Sequence, residues 1–270
     1  MSAEDYAEQF ADVDGTFLEM IDLEEIDLNL YRANFVFPDP YSLYGGQVAA
    51  QALRAAGLSV KQDRLPHSMH GYFLRPGNSS KPTVFQVFRD RDGRSYSARR
   101  VVALQGGEVI FSMSASFHLS EDGPDDQAVQ MPDVPEPADC PSFVMPRLFS
   151  YEGRSVPQPF DTDEMPTRFW ARCDTRLDDP FLNACALLYL SDISSGLARF
   201  DNEEHAASSS LDHAVWFHRP LEASEWTLMD MVPHSIAGGR GWYTGSIFSQ
   251  SGVLAASLAQ ETLFRKRRKR

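Results

Sequence analysis

Two stretches of the sequence end in the same pattern, H-S-M-H-G-Y-F-L-R-P at His67–Pro76 and S-L-D-H-A-V-W-F-H-R-P at Ser210–Pro220. Each contains adjacent aromatic residues, which favour strands, and each closes on Phe-x-Arg-Pro, where Pro cannot donate to a strand ladder. The two Arg-Pro pairs are 144 positions apart (219 − 75). This repetition predicts that the chain contains one folding unit twice.

The order of the surrounding elements repeats as well. The apolar pairs at 109–110 and 253–254 show the same offset of 144 (253 − 109), and each follows a glycine-containing turn. A predicted helix precedes each Phe-x-Arg-Pro strand, at Gly45–Gly57 and at Pro180–Gly196. The first helix is rich in Ala and Gly, which permits close packing, whereas the second is apolar nearly all round, which predicts burial.

A segment rich in proline and acidic residues, Leu119–Phe143, lies between the two units. Proline lacks an amide donor and fixes φ, so this segment cannot be a central strand or a long helix. We therefore predict an N-terminal unit over 1–120, a connector over 121–165 and a C-terminal unit over 166–270. The predicted fold class is α+β: two curved antiparallel sheets each wrap a central helix and join edge to edge, which hides two sheet edges.

The composition argues against several classes of protein. A formal net charge of −13 over 270 residues disfavours a nucleic-acid partner, because phosphates would be repelled. No apolar run reaches the about 20 residues that span a bilayer, and the acidic first ten residues predict no signal peptide. The three cysteines lack C-x-x-C spacing, which indicates neither a disulfide framework nor a zinc site. We therefore predict a cytoplasmic protein.

The C-terminal run F-R-K-R-R-K-R, Phe264–Arg270, is the exception to the acidic composition. It either tethers an anionic partner electrostatically or forms a solvated tail. A charge run at a chain terminus favours the solvated tail.

A family resemblance covers nearly the whole chain apart from the connector and the ends. The motifs H-S-M-H-G-Y-F-L-R-P-G, R-D-G-R-S-Y-S-A-R-R-V and S-A-S-F, and later L-D-H-A-V-W-F-H-R-P and S-G-V-L-A-A-S-L-A-Q-E, resemble those of bacterial acyl-CoA thioesterase II. The resemblance implies two tandem hotdog domains and hydrolysis of acyl-CoA thioesters. It also implies that acyl-CoA is the partner, that no cofactor is needed and that the chain forms a homo-oligomer.

Three polar residues are candidates for catalysis. The chain lacks a G-x-S-x-G pentapeptide, which favours a positioned water activated by a base over a serine nucleophile. Asp192 follows an apolar helix, whose dipole and surroundings would raise the pKa of its carboxyl group, but it also fits an exposed loop. Gln260 ends an apolar strand face, as either a site residue or a strand end meeting water.

Ser210 belongs to a serine-rich segment in which Ser208 and Ser209 are alternative choices. The family resemblance implies that Asp192, Ser210 and Gln260 hold the water together, with Ser210 at a position where relatives commonly carry Thr. Ser keeps the hydroxyl group, so the hydrogen bond is retained.

Other arrangements of reactive residues carry less weight. Asp212 and His213 beside Ser210 suggest a catalytic triad, but neighbours in a strand point to opposite faces. The histidines at 67, 70, 213 and 218 lack metal-ligand spacing. Five arginines of a predicted hairpin either meet CoA phosphates or lie on a solvated surface, which is favoured: Arg89, Arg91, Arg94, Arg99 and Arg100.

The candidate trio falls in the second unit alone. The offset of 144 gives Pro66 as the counterpart of Ser210 (210 − 144) and Ser116 as that of Gln260 (260 − 144). Proline offers no hydroxyl group, so one active site per chain is predicted, with the first unit as scaffold and substrate wall. A non-catalytic acyl-CoA-binding module and an enoyl-CoA hydratase are the rival functions, and the trio lacks the histidine that a hydratase requires.

Overall fold

The structure, a computed structural model, describes residues 15–35, 39, 42–145, 148–160, 165–193 and 195–267. The first ten residues, whose composition predicts no signal peptide, and the last three residues of the basic C-terminal run lie outside these ranges. Within them, no helix is long and apolar enough to cross a membrane.

The regular structure of the described residues consists of three α-helices and fourteen strands. The helices are α1 (Phe17–Ile21), α2 (Gly45–Leu58) and α3 (Pro180–Ser191). The strands of the first half are β1 (Leu23–Asp27), β2 (Leu30–Ala33), β3 (Arg64–Phe73), β4 (Thr83–Asp92), β5 (Tyr96–Gln105) and β6 (Glu108–Leu119). Those that follow are β7 (Ser142–Phe143), β8 (Tyr151–Ser155), β9 (Arg168–Cys173), β10 (His205–Ser210), β11 (Asp212–Phe217), β12 (Thr227–Ala237), β13 (Arg240–Ser249) and β14 (Leu254–Lys266).

All fourteen strands form one antiparallel sheet in the order β1-β2-β4-β5-β6-β3-β11-β14-β13-β12-β9-β8-β7, and β10 pairs with the end of β14. The two Phe-x-Arg-Pro strands, β3 and β11, are neighbours, with Met69 opposite Val215. Reading outward from this joint, β6-β5-β4-β2 on one side corresponds to β14-β13-β12-β9 on the other. The predicted antiparallel sheet is confirmed, and the two halves meet through main-chain hydrogen bonds.

The predicted repeat is visible in the strand boundaries. Thr83 and Thr227 begin β4 and β12, and Tyr96 and Arg240 begin β5 and β13, so both pairs are 144 positions apart (227 − 83 and 240 − 96). The offset read from the sequence is therefore confirmed for these strands.

The last strand of each unit departs from that offset by one residue. Arg99 on β5 pairs with Ala115, whereas Tyr243 on β13 pairs with Gln260. Four residues separate the paired Leu104 and Val109, whereas five separate the equivalent pair Phe248 and Leu254, so β14 is moved by one position. The counterpart of Gln260 is therefore Ala115 (260 − 115 gives 145), and the expectation of Ser116 was wrong.

Helices α2 and α3 pack against each other in opposite directions. Near the start of α2, the Tyr44 hydroxyl donates to Tyr189 O at 2.9 Å, close to the end of α3. A Cβ atom on Gly46 would lie 2.3 Å from that same carbonyl oxygen, so this contact requires glycine. Near the other end, the Arg54 guanidinium lies 5.9 Å from the Phe181 ring centroid. The close packing expected of the first helix is therefore directed at the second.

The residues of α3 explain both its position and its ends. The side chain of the N-cap Asp179 accepts from Phe181 N, and Pro180 occupies the first turn, where its missing N–H costs nothing. Every residue from Cys185 to Ser191 is buried. The predicted burial of this helix is confirmed.

The residues predicted as a connector include two short strands. β7 pairs with β8 and β8 pairs with β9, so this part of the chain extends the edge of the second half. The more acidic part that precedes these strands, residues 120–136, has no helix or strand.

Candidate active site

Asp192 caps the C-terminus of α3 and is only 2% exposed. Its sequence context also fits an exposed loop, and that alternative was wrong because α2 covers this end of the helix. A buried carboxylate is costly unless it accepts hydrogen bonds. The hydrogen-bond donors around the Asp192 carboxylate therefore determine its charge state and its orientation.

Two strands bring the other predicted residues to Asp192. Gln260 lies on β14, on the inner face that Ala256 and Leu258 also occupy, and it is fully buried. Ser210 ends β10, is half-buried and lies opposite Thr262 of β14. Gln260 therefore continues the inward-facing row of β14, and it is not a strand end exposed to water.

The three predicted site residues form one hydrogen-bonded group. The Ser210 hydroxyl donates to Asp192 Oδ1 at 2.8 Å, and Gln260 Nε2 donates to the same oxygen at 2.9 Å. Gln260 Nε2 also lies 2.6 Å from Ser210 Oγ, where it donates a second hydrogen bond. Hydrogen bonds to an ionised oxygen favour the charged form of the acid. The group therefore presents a carboxylate that is fixed in orientation by a hydroxyl and an amide.

The start of α2 approaches the other carboxylate oxygen. A Cβ atom on Gly45, the first residue of α2, would lie 2.3 Å from Asp192 Oδ2 and 2.9 Å from the Phe73 ring. The first amides of a helix lack intrahelical acceptors and carry partial positive charge. This charge offsets the unfavourable position of Asp192 at the negative end of α3. Sequence reasoning missed Gly45, although the Gly-Gly pair that opens an Ala-rich helix is a signal for such contact.

A cavity of about 420 Å³ opens beside Asp192 and Ser210. The first half contributes the start of α2 and the end of β3 to its wall, while the second half contributes residues 208–211 and Leu263. The Phe-x-Arg-Pro motif at 73–76 is therefore part of the wall, and Arg75 supplies a cation there. Gln260 lies behind Asp192 and Ser210 rather than among the described lining residues.

Two further buried polar side chains flank the trio. His213 on β11 is fully buried, and its Nε2 lies 2.7 Å from Ser191 Oγ. Burial lowers the pKa of the His213 imidazole to about 4, and a weaker effect of the Gln260 amide opposes this. Burial raises the pKa of the Tyr243 phenol well above its usual range, and the charge of Asp192 adds to that effect. His213 and Tyr243 are therefore neutral at physiological pH.

The triad and metal alternatives find no support in the geometry. His213 contacts Ser191, while the Asp212 carboxylate accepts from Glu261 N at 2.7 Å on the opposite face of the strand. Among the described residues, no three His, Cys, Asp or Glu side chains are grouped as metal ligands.

One of the five hairpin arginines is buried, and the other four are exposed. Arg99 is only 1% exposed and donates to Ser59 Oγ at 2.8 Å and to Asp92 Oδ1 at 2.7 Å. The favoured account of a solvated surface was therefore wrong for Arg99, which links β5 to the end of α2. None of the five arginines is among the described residues that line the cavity beside Asp192.

The equivalent positions of the first half carry different chemical groups. By helix end and strand register, the counterparts of Asp192, Ser210 and Gln260 are Ser59, Pro66 and Ala115. Arg99 lies at the position that corresponds to Tyr243, and its guanidinium donates to the hydroxyl and to the backbone carbonyl of Ser59. This end of the fold carries no carboxylate equivalent to Asp192.

Comparisons with known proteins agree with this architecture. Residues 37–118 match the family model of the acyl-CoA thioesterase N-terminal domain, and residues 122–264 match that of the C-terminal domain. The chain is 31% identical to acyl-CoA thioesterase 2 of Haemophilus influenzae, over 94% of this chain and 99% of that protein. It is 40% identical to the crystal structure of the acyl-CoA thioesterase II TesB2 from Mycobacterium marinum, with a TM-score of 0.78 and coverage of 94% and 98%.

A more distant structure tests the fold alone. A protein with a hot dog fold from Alicyclobacillus acidocaldarius is 22% identical and covers 96% of this chain and 100% of its own, with a TM-score of 0.78. The hotdog fold that the sequence motifs implied is thereby confirmed.

Proposed function

Since the chain belongs to the acyl-CoA thioesterase II family, we propose that it hydrolyses fatty acyl-CoA to a free fatty acid and CoA. The chain is a thioester hydrolase, and its place is in lipid metabolism. The observation that carries the proposal is the shared oxygen of Asp192, which accepts from Ser210 at 2.8 Å and from Gln260 at 2.9 Å beside a cavity.

Asp192 is the general base of the proposed reaction. A water in the cavity gives a proton to the Asp192 carboxylate, while the water oxygen forms a bond to the thioester carbonyl carbon. The tetrahedral intermediate then collapses, the carbon–sulfur bond breaks, and the thiolate leaves and takes up the proton from Asp192, which restores the carboxylate. A thiolate is a good leaving group, so the proposed route uses no cofactor.

Ser210 and Gln260 hold the base and the water in position. The Ser210 hydroxyl lies on the cavity wall and offers the water an acceptor, while Gln260 fixes both Ser210 and Asp192 from behind. The amides at the start of α2 border the same cavity. We propose that they stabilise the negative charge that develops on the carbonyl oxygen. Fixed groups of this kind stabilise a transition state without reorganising.

We also infer a double hotdog architecture, with one site per chain. α2 contacts β3, β4, β5 and β6, and the Tyr151 hydroxyl of β8 donates to Ala186 O of α3 at 2.8 Å, which supports one helix for each half of the sheet. We keep the division into an N-terminal unit over 1–120, a connector over 121–165 and a C-terminal unit over 166–270 as a proposal; the N-terminal family model, which ends at residue 118, supports its first boundary. The cytoplasmic location and the homo-oligomer stay predictions.

The proposal is tested by the release of free thiol from a panel of acyl-CoA substrates of increasing chain length, followed with a thiol-reactive dye. Turnover on at least one chain length is the expected result. If the protein binds acyl-CoA in a calorimeter but releases no thiol from any substrate, the non-catalytic binding module becomes the better account.

A further inference from the structure

His213 and Gln260 face each other on adjacent strands. Ala214 of β11 lies opposite Ala259 of β14, so the next pair in this antiparallel register is His213 and Gln260. Both residues are fully buried on the inner face of the sheet, where opposite side chains lie about 5 Å apart at Cβ. His213 Nδ1 and Gln260 Oε1 are both buried, and neither makes a well-formed hydrogen bond to another described residue.

The contacts of Gln260 decide which way its amide points. Its Nε2 lies 2.9 Å from Asp192 Oδ1 and 2.6 Å from Ser210 Oγ. In the flipped orientation, the carbonyl oxygen would face a carboxylate, and two acceptors would repel each other. Gln260 Oε1 must therefore point away from Asp192. The residues opposite Gln260 on the two adjacent strands are His213 and Tyr243. The Gln260 amide acts on the pKa of the His213 ring, whereas the pKa of the Tyr243 phenol is affected by the Thr262 side chain, so His213 is the partner on that face.

The contacts of His213 decide which ring nitrogen carries the proton. A neutral imidazole has one N–H donor and one acceptor. If Nε2 carried the proton, the lone pair of Nδ1 would face the Gln260 carbonyl oxygen. If Nδ1 carries it, Nδ1–H can donate to Gln260 Oε1, and Nε2 can accept from the Ser191 hydroxyl at 2.7 Å. The Ser191 hydroxyl also lies 3.0 Å from Leu188 O, and its single proton can be donated to only one of these two acceptors. The second arrangement directs it to the nearer acceptor, Nε2, and is the one that avoids two buried acceptors facing each other at Nδ1 and Oε1.

We propose that His213 is a positioning residue for the active site, because its Nδ1–H donates to Gln260 Oε1 and keeps the amide nitrogen directed at Asp192 and Ser210. This role rests on the proposed thioester hydrolysis. Ser191 and Asp192 are consecutive at the end of α3, so the bonds form a ring from Ser191 through His213 and Gln260 to Asp192. The ring fixes the amide and the end of α3 relative to each other.

The full burial of His213 fits this role. Burial lowers the pKa of the imidazole to about 4, so the ring stays neutral and keeps one donor and one acceptor at physiological pH. A charged imidazolium would turn Nε2 into a donor and end its acceptance from Ser191.

The test compares two substitutions of His213 that differ in one property. In His213→Asn, the side-chain amide nitrogen can occupy the place of Nδ1–H, whereas His213→Leu has a similar branch but no donor. We expect His213→Leu to lower kcat by up to about 100-fold with KM nearly unchanged, as expected for a misplaced catalytic group. His213→Asn should recover most of kcat. Equal losses in the two variants, or a rise in KM with kcat unchanged, would overturn the proposal.

A second measurement does not depend on activity. In wild-type protein with ¹⁵N-labelled histidine, NMR distinguishes the protonated ring nitrogen from the unprotonated one, and the His213→Asn spectrum identifies the resonances. We expect the proton on Nδ1, and a proton on Nε2 would refute the role of His213. Wild-type protein with Nδ1–H but no thiol release from acyl-CoA would instead refute the proposed hydrolysis and leave the His213–Gln260 bond standing.

Discussion

Asp192 Oδ1 and Gln260 Nε2 lie 2.9 Å apart, although 68 positions separate the two residues along the chain. One residue caps a helix and the other lies inside a strand, so the contact exists only when α3 and β14 are packed together. A shift of α3 along the sheet would turn the carboxylate away from the cavity. The geometry of Asp192, the proposed base, therefore depends on how α3 packs against β14.

The substitution Asp192→Asn is expected to remove turnover and leave the fold intact. The two side chains have the same shape, but an amide cannot take up a proton from water, and loss of a general base costs about 100- to 10,000-fold in rate. The measurement is kcat for thiol release. Circular dichroism and acyl-CoA binding serve as controls, and retained activity would exclude Asp192 as the base.

At Ser210, the hydroxyl group rather than the size of the side chain is expected to matter. Ser210→Thr keeps the donor to Asp192 and should retain most of the activity. Ser210→Ala loses a hydrogen bond to a charged group, worth about 1.5–3 kcal/mol, so kcat should fall about 10- to 100-fold. A steady-state comparison of the two variants tests this, and equal activity of the alanine variant and wild type would contradict it.

Gly45→Ala is expected to impair both activity and stability. The added methyl group would lie 2.3 Å from Asp192 Oδ2 and 2.9 Å from the Phe73 ring. Overpacking of this kind costs about 1–3 kcal/mol in the free energy of unfolding, and it would displace the base. Gly123→Ala is the matched control, because a Cβ atom there meets nothing within 4 Å. Similar urea midpoints and kcat values for the two variants would show that the close approach is unimportant.

The buried imidazole of His213 predicts a loss of stability in acid. Its pKa falls from 6.5 to about 4 on folding. Between these values the unfolded chain binds a proton that the native state does not. The contribution of neutral His213 to the free energy of unfolding is therefore complete above pH 6.5 and is lost as the pH falls towards 4. The shift corresponds to a loss of about 3 kcal/mol. Urea unfolding of wild type and His213→Leu from pH 7 to pH 4 measures the difference between their free energies of unfolding. The advantage of wild type over His213→Leu should become smaller as the pH falls. A constant difference would mean that His213 does not titrate in this way.

Much of the fold follows from patterns that repeat locally along the chain. The Phe-x-Arg-Pro strands and the offset of 144 identify the repeated unit, because strand periodicity and proline act within a few residues. The position of Ala115 opposite Arg99 did not follow, since one extra residue in a turn shifts every later pair. A pattern match at low identity does not detect such a shift.

The candidate site was less accessible to sequence reasoning. The residues Asp192, Ser210 and Gln260 came from the family resemblance, and their own contexts left exposed positions open. The burial of Asp192 depends on Gly45 from the other half of the chain, and such distant packing leaves no local signal. His213 was considered only for a triad or a metal site, because its partner Ser191 comes close in space and not in sequence.

The cavity beside Asp192 takes much of its wall from the first half of the chain and its acid, hydroxyl and amide from the second. Because the wall and the polar groups come from different halves, we expect the two halves to be under different constraints. Substitutions in the first half are expected to change which molecules fit the cavity, while substitutions at the polar residues of the second half are expected to change the proposed reaction. In the proposed reaction, the half without the polar trio therefore acts on selectivity for the acyl group, and the half that carries the trio acts on rate.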